Sequence, residues 1–284
     1  MSISHFIIGC GYLGRRVARL WLEQGKQVGA LTRSRSEEFR KLRIEPIQGD
    51  VLDPDLKLPE VDTLLYAVGL DRSSGRSFRE VYIDGLRNVL EKLPKPRRFI
   101  YVSSTSVYGQ SDESWVTESS LTDPVEENGK IVLEAEELIR SNFADALILR
   151  FAGIYGPDRI LRRAAIEKGE PLRGDADKWL NLIHVEDGAK VVLAAEEKAQ
   201  SGSTFLVADG HPVRRREFYT RMSELLQAPA ARFEPLPPET PLPPHERGSR
   251  RVSNQKLGDE LTITLDFPDY LTGLPQAILN SSKK

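Results

Sequence analysis

Three glycines near the start of the chain have the spacing of a phosphate-binding turn. Gly9, Gly11 and Gly14 follow a short apolar run and precede an amphipathic segment. Without a Cβ, the first glycine permits a tight turn, the second lets the backbone approach a phosphate, and the third allows close helix packing on a sheet. A strand, turn and helix of this kind place a pyrophosphate at a helix N-terminus. We therefore predict that this turn, including Tyr12 and Leu13, binds a dinucleotide.

The end of the second predicted strand indicates which dinucleotide is bound. Thr32, Arg33, Ser34 and Arg35 follow this strand, and no acidic residue occurs before Glu37. An Asp or Glu here would accept a hydrogen bond from the ribose 2′-hydroxyl of NAD, whereas arginines and hydroxyls suit the 2′-phosphate of NADP. The simpler interpretation is a solvated loop. We predict NADP as the cofactor in preference to NAD.

Strand and helix patterns alternate along the chain to position these residues. Strands are predicted at residues 27–31, 44–48, 61–68, 99–102 and 204–207. A capping box of Ser77 and Glu80 begins a helix that runs to about Leu93. The alternation predicts an α/β protein with a Rossmann-like doubly wound parallel sheet and a small C-terminal substrate lobe. We assign residues 1–155 and 181–208 to the Rossmann domain, and residues 156–180 and 209–284 to the lobe.

Composition limits the class of protein and its partners. The 284 residues carry a formal net charge of −2, one cysteine and four scattered histidines. We therefore expect no disulfide, no metal site, and neither nucleic acid nor a membrane as partner. The first residues lack a signal-peptide pattern, so we expect a cytoplasmic protein with a small-molecule substrate; a homodimer is left open. The basic run Arg214–Arg216 is interpreted as the solvated start of a helix.

Further motifs occur in an order typical of one protein family. Besides the glycine turn, they are Gly49-Asp50, Ala67-Val68-Gly69, the run from Tyr101 to Gly109, Arg150 with the segment 154–157, and the segment from Asn181 to Asp187. Together they resemble the extended short-chain dehydrogenase/reductase superfamily, specifically the NAD-dependent epimerase/dehydratase family. The closer glycine spacing is seen in divergent members. The resemblance implies that Asp50 and Val51 contact the adenine, and that Ala67, Val68 and Gly69 line the cofactor.

The resemblance also implies a set of active-site residues. Ser104 would hydrogen-bond the reacting carbonyl or alcohol, and Lys130 would hold the nicotinamide ribose. In the family a tyrosine stands four residues before this lysine, on the same helix face, and acts as general acid and base. This chain has Glu126 there. Tyr108 or Tyr155 is an alternative source of a phenol, although packing beside a glycine turn explains both more simply.

The glutamate leaves two hypotheses open. Asp123 as N-cap, Pro124 as the first helical residue and Glu126 at the third position would form an ordinary helix start. A carboxyl group also ionises far below the range of a phenol. The leading hypothesis is an NADP-dependent oxidoreductase or epimerase with a small polar or sugar-like substrate. The alternative is a catalytically silent NADP-binding sensor or scaffold.

The last part of the chain is predicted to shape the substrate cleft. The proline-rich segment from Pro229 to Pro244 is interpreted as an extended loop over the cleft. In the family, an arginine of this lobe often binds a substrate anion, which makes Arg250 and Arg251 candidates. Surface solvation is the favoured interpretation for each of them.

Overall fold

A seven-stranded parallel sheet forms the centre of the computed structural model, which describes residues 2–237 and 248–282. The strands, numbered along the chain, are β1 (His5–Ile8), β2 (Val28–Thr32), β3 (Glu45–Gln48), β4 (Thr63–Tyr66), β5 (Arg98–Ser104), β6 (Leu147–Phe151) and β7 (Thr204–Val207). Their order is β7-β6-β5-β4-β1-β2-β3, and all neighbouring pairs are parallel. The strand order reverses at β1 and β4, which opens a crevice at their carboxyl ends. The predicted Rossmann-like fold is confirmed.

The helices lie on both faces of this sheet and beyond its carboxyl edge. They are α1 (Gly14–Glu23), α2 (Ser36–Lys41), α3 (Gly85–Lys92), α4 (Glu127–Asn142), α5 (Arg163–Glu167), α6 (Val185–Lys198), α7 (Arg215–Leu226), α8 (Gln255–Leu261) and α9 (Tyr270–Leu279). Two 3-10 turns occur at Arg72–Ser74 and Thr105–Val107. A π-helical turn at Glu80–Asp84 precedes α3, within the segment predicted to be a helix.

The two faces of the sheet bury different apolar clusters. In β1, Ile7 packs in a cluster with residues of α1 and α6, whereas Phe6 and Ile8 pack in a cluster with residues of α3 and α4. This alternation follows from the period of two along a strand. Gly25 adopts the left-handed conformation, with φ of 77°, directly after the last turn of α1. Gly25 therefore ends this helix as the residue after the C-cap.

A separate apolar cluster lies outside the sheet, among residues of α5, α7 and α9 and short strands. It includes Tyr155, Leu172, Phe218 and Leu274. We continue to propose that this region is the substrate lobe. The short strands are Trp115–Val116, Gly153–Tyr155, Leu172–Arg173, Trp179–Leu180, Leu182–His184, Val213–Arg214, Phe233–Glu234 and Arg251–Val252.

Two interpretations of the later part of the sequence have different outcomes: one lies partly outside the described residues, and one is wrong for Arg215. The proposed loop from Pro229 to Pro244 lies partly outside the described residues, since only its part up to residue 237 is described. The interpretation of the basic run as solvated is wrong for Arg215, which is 5% exposed. Its guanidinium donates to the carbonyl oxygens of Asp175 and Arg173. This guanidinium thus ties the start of α7 to the preceding loop.

Candidate cofactor-binding and active site

The glycine turn after β1 is packed so closely that side chains would not fit at two of its positions. Gly9 has φ of 95°, and a Cβ there would overlap the backbone carbonyl of Ala67. A Cβ at Gly14 would lie 2.8 Å from the Gly9 carbonyl oxygen. Gly11 differs because nothing lies within 4 Å of its Cβ position. The backbone at Gly11 therefore faces open space at the carboxyl end of the sheet.

The N-terminus of α1 has the donors that a pyrophosphate needs. Among the described residues, the backbone N–H groups of Tyr12, Leu13 and Gly14 have no hydrogen-bond acceptor. The first turn of this ten-residue helix contains no acidic residue. Free N–H groups and the positive end of the helix dipole favour an anion here. The residues present therefore fit a dinucleotide phosphate group.

The loop after β2 carries charges at the edge of the crevice. The Arg33 Nη2 donates to Asp71 Oδ2 at 2.9 Å, and its Nε lies 4.0 Å from Asp50. Arg76 Nη1 donates to both carboxylate oxygens of Asp50, at 2.7 and 2.8 Å. Burial acts to raise the pKa of Asp50, but the hydrogen bonds from Arg76 and the Leu52 N–H outweigh it, so the pKa is lowered. Neither Arg76 nor Asp71 was predicted from the sequence.

The predicted cofactor residues after β2 differ in exposure. Thr32 is buried, and its Oγ1 accepts from the backbone N–H groups of Ser34 and Arg35 at 3.4 and 2.9 Å. Arg33, Ser34 and Arg35 are exposed. The Thr32 hydroxyl thus shapes the loop, and the next three residues present their side chains outward.

The segment after β4 lies beside the glycine turn. The Ala67 N–H donates to the Ile8 carbonyl oxygen at 2.7 Å, which continues the pairing of β1 and β4. Val68 is half-buried, and Gly69 is exposed with open space at its Cβ position. Val51 packs against Gly85 at the start of α3, where a Cβ would lie 2.7 Å from a Val51 methyl group. The segment 67–69 therefore lies at the carboxyl end of β4 beside the glycine turn, whereas Val51 packs against α3.

Ser104 ends β5 and begins the 3-10 turn at Thr105–Val107. Its Oγ accepts from the Ser106 N–H at 3.1 Å. A hydroxyl that accepts from the backbone still has its proton to donate. The turn therefore fixes the Ser104 oxygen and leaves one hydrogen-bond donor for a substrate oxygen.

The first turn of α4 brings Lys130 to the Ser104 turn. A Cβ at Gly129 would overlap the Ser106 carbonyl oxygen, so the helix approaches the turn closely. Lys130 is exposed, and its backbone N–H donates to the Glu126 carbonyl oxygen. Gly129 was not predicted from the sequence, although a glycine directly before the expected lysine was the available signal.

The expected helix start at residues 123–126 is wrong. Helix α4 begins at Glu127, and Glu126 is the N-cap residue, with φ of −88° and ψ of 143° and no side-chain capping hydrogen bond. The reason is a tertiary contact: a Cβ at Gly109 would overlap the carbonyl oxygen of Asp123. Residue 123 packs against that glycine and does not cap the helix. The glutamate therefore lies just outside the helix, four residues before Lys130.

Tyr108 has both of its hydrogen-bonding functions occupied. Its hydroxyl donates to the Thr117 carbonyl oxygen at 3.0 Å and accepts from Arg150 Nη1 at 2.7 Å. Arg150 is also paired with Glu136, and both are buried. Tyr108 itself is 1% exposed. Its contacts are those of a structural residue, and we leave Tyr108 out of the proposed proton-transfer groups.

Two other phenols lie nearer the crevice or the lobe. Tyr82, in the π-helical turn, is half-buried, and its ring stacks on Phe78 with the ring centroids 4.0 Å apart. Tyr155 is buried in the lobe cluster, and burial raises its pKa well above the usual range of a phenol. We therefore leave Tyr155 out of the proton-transfer groups as well.

Arg250 is placed beside the Ser104 turn and is not a solvated surface residue. Its Nη2 donates to the Thr105 carbonyl oxygen at 2.9 Å. Burial lowers the pKa of Arg250, and no carboxylate in the described part of the chain interacts with it. Arg251 instead lies over the Trp115 ring, with Cζ 5.1 Å from the ring centroid. The favoured interpretation of surface solvation is therefore wrong for Arg250.

A metal-binding cluster and a membrane-spanning helix are both absent from residues 2–237 and 248–282. This part of the chain has no group of three or more His, Cys, Asp or Glu side chains that could hold a metal ion. It also has no helix with the length and apolarity needed to cross a membrane.

Comparisons with known proteins place this chain among relatives of matching fold. The chloroplast stem-loop binding protein of 41 kDa b from Arabidopsis thaliana is 28% identical over 233 residues, or 71% of this chain and 59% of that protein. The 2-alkyl-3-oxoalkanoate reductase from Shewanella oneidensis is 26% identical over 250 residues, or 75% of this chain and 63% of the reductase. The chain thus spans less than two thirds of the length of these two proteins.

A solved structure has the same fold over nearly the whole chain. It is that of a functionally unknown conserved protein from Silicibacter pomeroyi DSS, with a TM-score of 0.79, 26% identity, and coverage of 99% of this chain and 100% of that one. The model of the NAD-dependent epimerase/dehydratase family matches residues 6–208. This match covers more than half of the chain, which therefore belongs to the NAD-dependent epimerase/dehydratase family.

Proposed function

We propose that this chain is an NADP-dependent oxidoreductase or epimerase that acts on a small polar or sugar-like substrate. The positive charge at the end of β2 is the observation that supports NADP as the cofactor. Arg33 and Arg35 are exposed there on either side of Ser34. The ion pair of Arg33 with Asp71 is half-exposed, so it contributes little free energy and can be exchanged for a pair with phosphate.

The remaining cofactor contacts follow the crevice between β1 and β4. The glycine turn would hold the pyrophosphate, Asp50 and Val51 the adenosine half, Ala67 to Gly69 the middle of the cofactor, and Lys130 the nicotinamide ribose. When bound, the nicotinamide ring supplies the redox chemistry. The chain itself binds and orients the cofactor and the substrate.

Ser104, Arg250 and Glu126 are the proposed substrate-handling groups. The Ser104 hydroxyl donates a hydrogen bond to the reacting oxygen of the substrate. Arg250, desolvated beside the same turn, binds a carboxylate, phosphate or other electron-rich group of the substrate. Glu126, at the N-terminus of α4, exchanges the proton that the reaction releases or consumes.

Binding and turnover can be tested separately. We expect NADPH to bind with micromolar affinity or better in a fluorescence titration, and NADH to bind more weakly. We also expect turnover with some member of a panel of small carbonyl and sugar substrates. Ser104→Ala should lower kcat by about 10²–10³-fold, the cost of removing one donor to a reacting oxygen, with the NADPH affinity unchanged. A chain that binds neither dinucleotide would refute the proposal.

The sensor or scaffold alternative predicts a different result. It predicts NADPH binding without turnover for the whole panel, and a change of cofactor affinity on Lys130→Ala. Clear turnover that is lost in Ser104→Ala would exclude it.

A further inference from the structure

Residues 156–159 form a tight turn that faces the glycine turn from the proposed substrate lobe. The Gly156 N–H donates to the Arg159 carbonyl oxygen at 3.2 Å, and the Arg159 N–H donates back to Gly156 at 3.0 Å. Gly156 has φ of 153° and Asp158 has φ of 64°. The reciprocal hydrogen bonds fix the backbone at Arg159.

Two further ties hold this turn in place. The Tyr12 hydroxyl, from the glycine turn, donates to the Pro157 carbonyl oxygen at 2.8 Å. On the other side, the Asp158 carboxylate accepts from the Ser282 N–H at 2.8 Å, and the Asp158 N–H donates to the Ser281 hydroxyl oxygen at 2.9 Å. The position of Arg159 relative to the glycine turn is therefore set by contacts on both sides.

The Arg159 side chain lies beside Tyr12 of the glycine turn. Its Cζ lies 5.4 Å from the centroid of the Tyr12 ring. Burial raises the pKa of Tyr12 to about 12 and also raises the pKa of Tyr82, and the positive charge of Arg159 opposes the rise at both. The guanidinium is thus within electrostatic range of two hydroxyls. One hydroxyl belongs to the turn after β1, and the other belongs to the π-helical turn before α3.

Arg159 differs from the other arginine on Tyr12. Arg16 also lies over this ring, at 4.2 Å, but its charge is paired with Glu186. In the described residues no carboxylate forms an ion pair with Arg159. An exposed cation without a counter-charge, held beside a residue whose backbone N–H is free, is placed to receive an anion.

We propose that Arg159 is a cofactor-binding residue whose guanidinium contacts the pyrophosphate from the side opposite the glycine turn. The phosphates would then lie between backbone N–H groups of the first helix and a cation of the lobe. This inference rests on the proposed NADP binding, and it adds a contact that the sequence motifs do not contain. It also means that cofactor binding joins the lobe to the sheet.

The test compares two ligands in the wild type and four variants. NADP⁺ contains the pyrophosphate, whereas adenosine 2′-monophosphate has only the 2′-phosphate. We expect Arg159→Ala to raise the Kd of NADP⁺ about tenfold or more, the usual effect of losing a charge-assisted contact, and to leave the Kd of adenosine 2′-monophosphate unchanged. Arg33→Ala should raise the Kd of both ligands. Arg163→Ala is the matched control, because Arg163 is paired with Glu167 on α5 and should change neither Kd.

Three other results would overturn the proposed role of Arg159. An unchanged Kd of NADP⁺ in Arg159→Ala, whether or not the KM of a substrate rises, overturns it. An equal rise in the Kd of both ligands also overturns it, since the effect of the variant is then not specific to the pyrophosphate. Wild-type protein that binds neither ligand overturns the proposed function as well. Arg159→Lys, which keeps the charge, should recover part of the affinity, and circular dichroism shows whether each variant is folded.

Discussion

Gly129 of α4 lies so close to the carbonyl oxygen of Ser106 that no side chain fits between them. This contact sets the distance between the helix that carries Lys130 and the turn that carries Ser104. Both residues are therefore positioned by one close backbone approach. The contact is specific to this pair of elements, and a variant can test it directly.

Gly129→Ala should separate α4 from the Ser104 turn. Because the obstacle is backbone, we expect a loss of about 1–3 kcal/mol in the free energy of unfolding, as for other overpacked sites, and a lower kcat. Urea denaturation and steady-state kinetics measure the two effects. Gly258→Ala, in α8, is the control: its Cβ position is open, so the helix should gain slight stability. Equal behaviour of the two variants would contradict the proposed spacing role.

Arg33→Ala should reduce the preference for NADP over NAD. One charge-assisted contact to phosphate contributes about 1.5–3 kcal/mol, so the ratio of the two Kd values should fall by roughly 10–100-fold. Asp71→Asn should act in the opposite direction, because it removes the negative charge that pairs with Arg33 and retains an oxygen for the Ser73 N–H. Isothermal titration with both dinucleotides measures the ratio. A ratio unchanged in both variants would place the 2′-phosphate elsewhere.

Asp209 should make the protein less stable as the pH rises. The side chain is 3% exposed, and desolvation raises its pKa from 3.8 to about 8, with the Asp269 and Asp187 charges acting in the same direction. The folded state therefore binds a proton that the unfolded state releases above pH 3.8, so this contribution is present at low pH and is lost between about pH 4 and pH 8.

Asp209→Asn isolates this effect. The amide retains the oxygen that accepts from the His211 N–H, and it has no charge to desolvate. We expect wild type and variant to have similar free energies of unfolding near pH 4, and the variant to be the more stable above pH 8. Urea denaturation across this range measures the difference. Parallel pH profiles for the two proteins would show that Asp209 is ionised in the folded state.

Tyr108→Phe should lower stability without abolishing turnover. Its hydroxyl is the partner of Arg150 Nη1 and of the Thr117 carbonyl oxygen, so removing it costs about 1–3 kcal/mol of unfolding free energy. Thermal denaturation and kcat give the two readouts. If kcat fell while the stability was unchanged, Tyr108 would be a proton donor in the reaction.

The fold was largely readable from the sequence because its signals are local. The glycine turn and the glycine that ends α1 each depend on neighbouring residues. The capping box is confirmed: the Ser77 N–H donates to the Glu80 carboxylate, and the Glu80 N–H donates to the Ser77 hydroxyl oxygen. The alternation of strand and helix patterns along the chain then predicts the parallel sheet.

The predictions were wrong where contacts between residues far apart in sequence determine the local structure. Residues 123–126 have good helix-start chemistry, but packing of Asp123 against Gly109 overrides it. Arg215 and Arg250 look like surface arginines, yet each donates to backbone carbonyl oxygens of a distant segment. No local pattern predicts such contacts, and for the same reason Arg159 was not predicted, although the motif at residues 154–157 contains the first half of its turn.

The turn at residues 156–159 joins three parts of the chain that are far apart in sequence. Through hydrogen bonds it connects Tyr12 near the beginning with Ser281 and Ser282 near the end. Ordering of the glycine turn should therefore also stabilise the segment that directly follows α9. Occupancy of the crevice should consequently slow amide hydrogen exchange in that last helix, although no residue of it belongs to the proposed cofactor site.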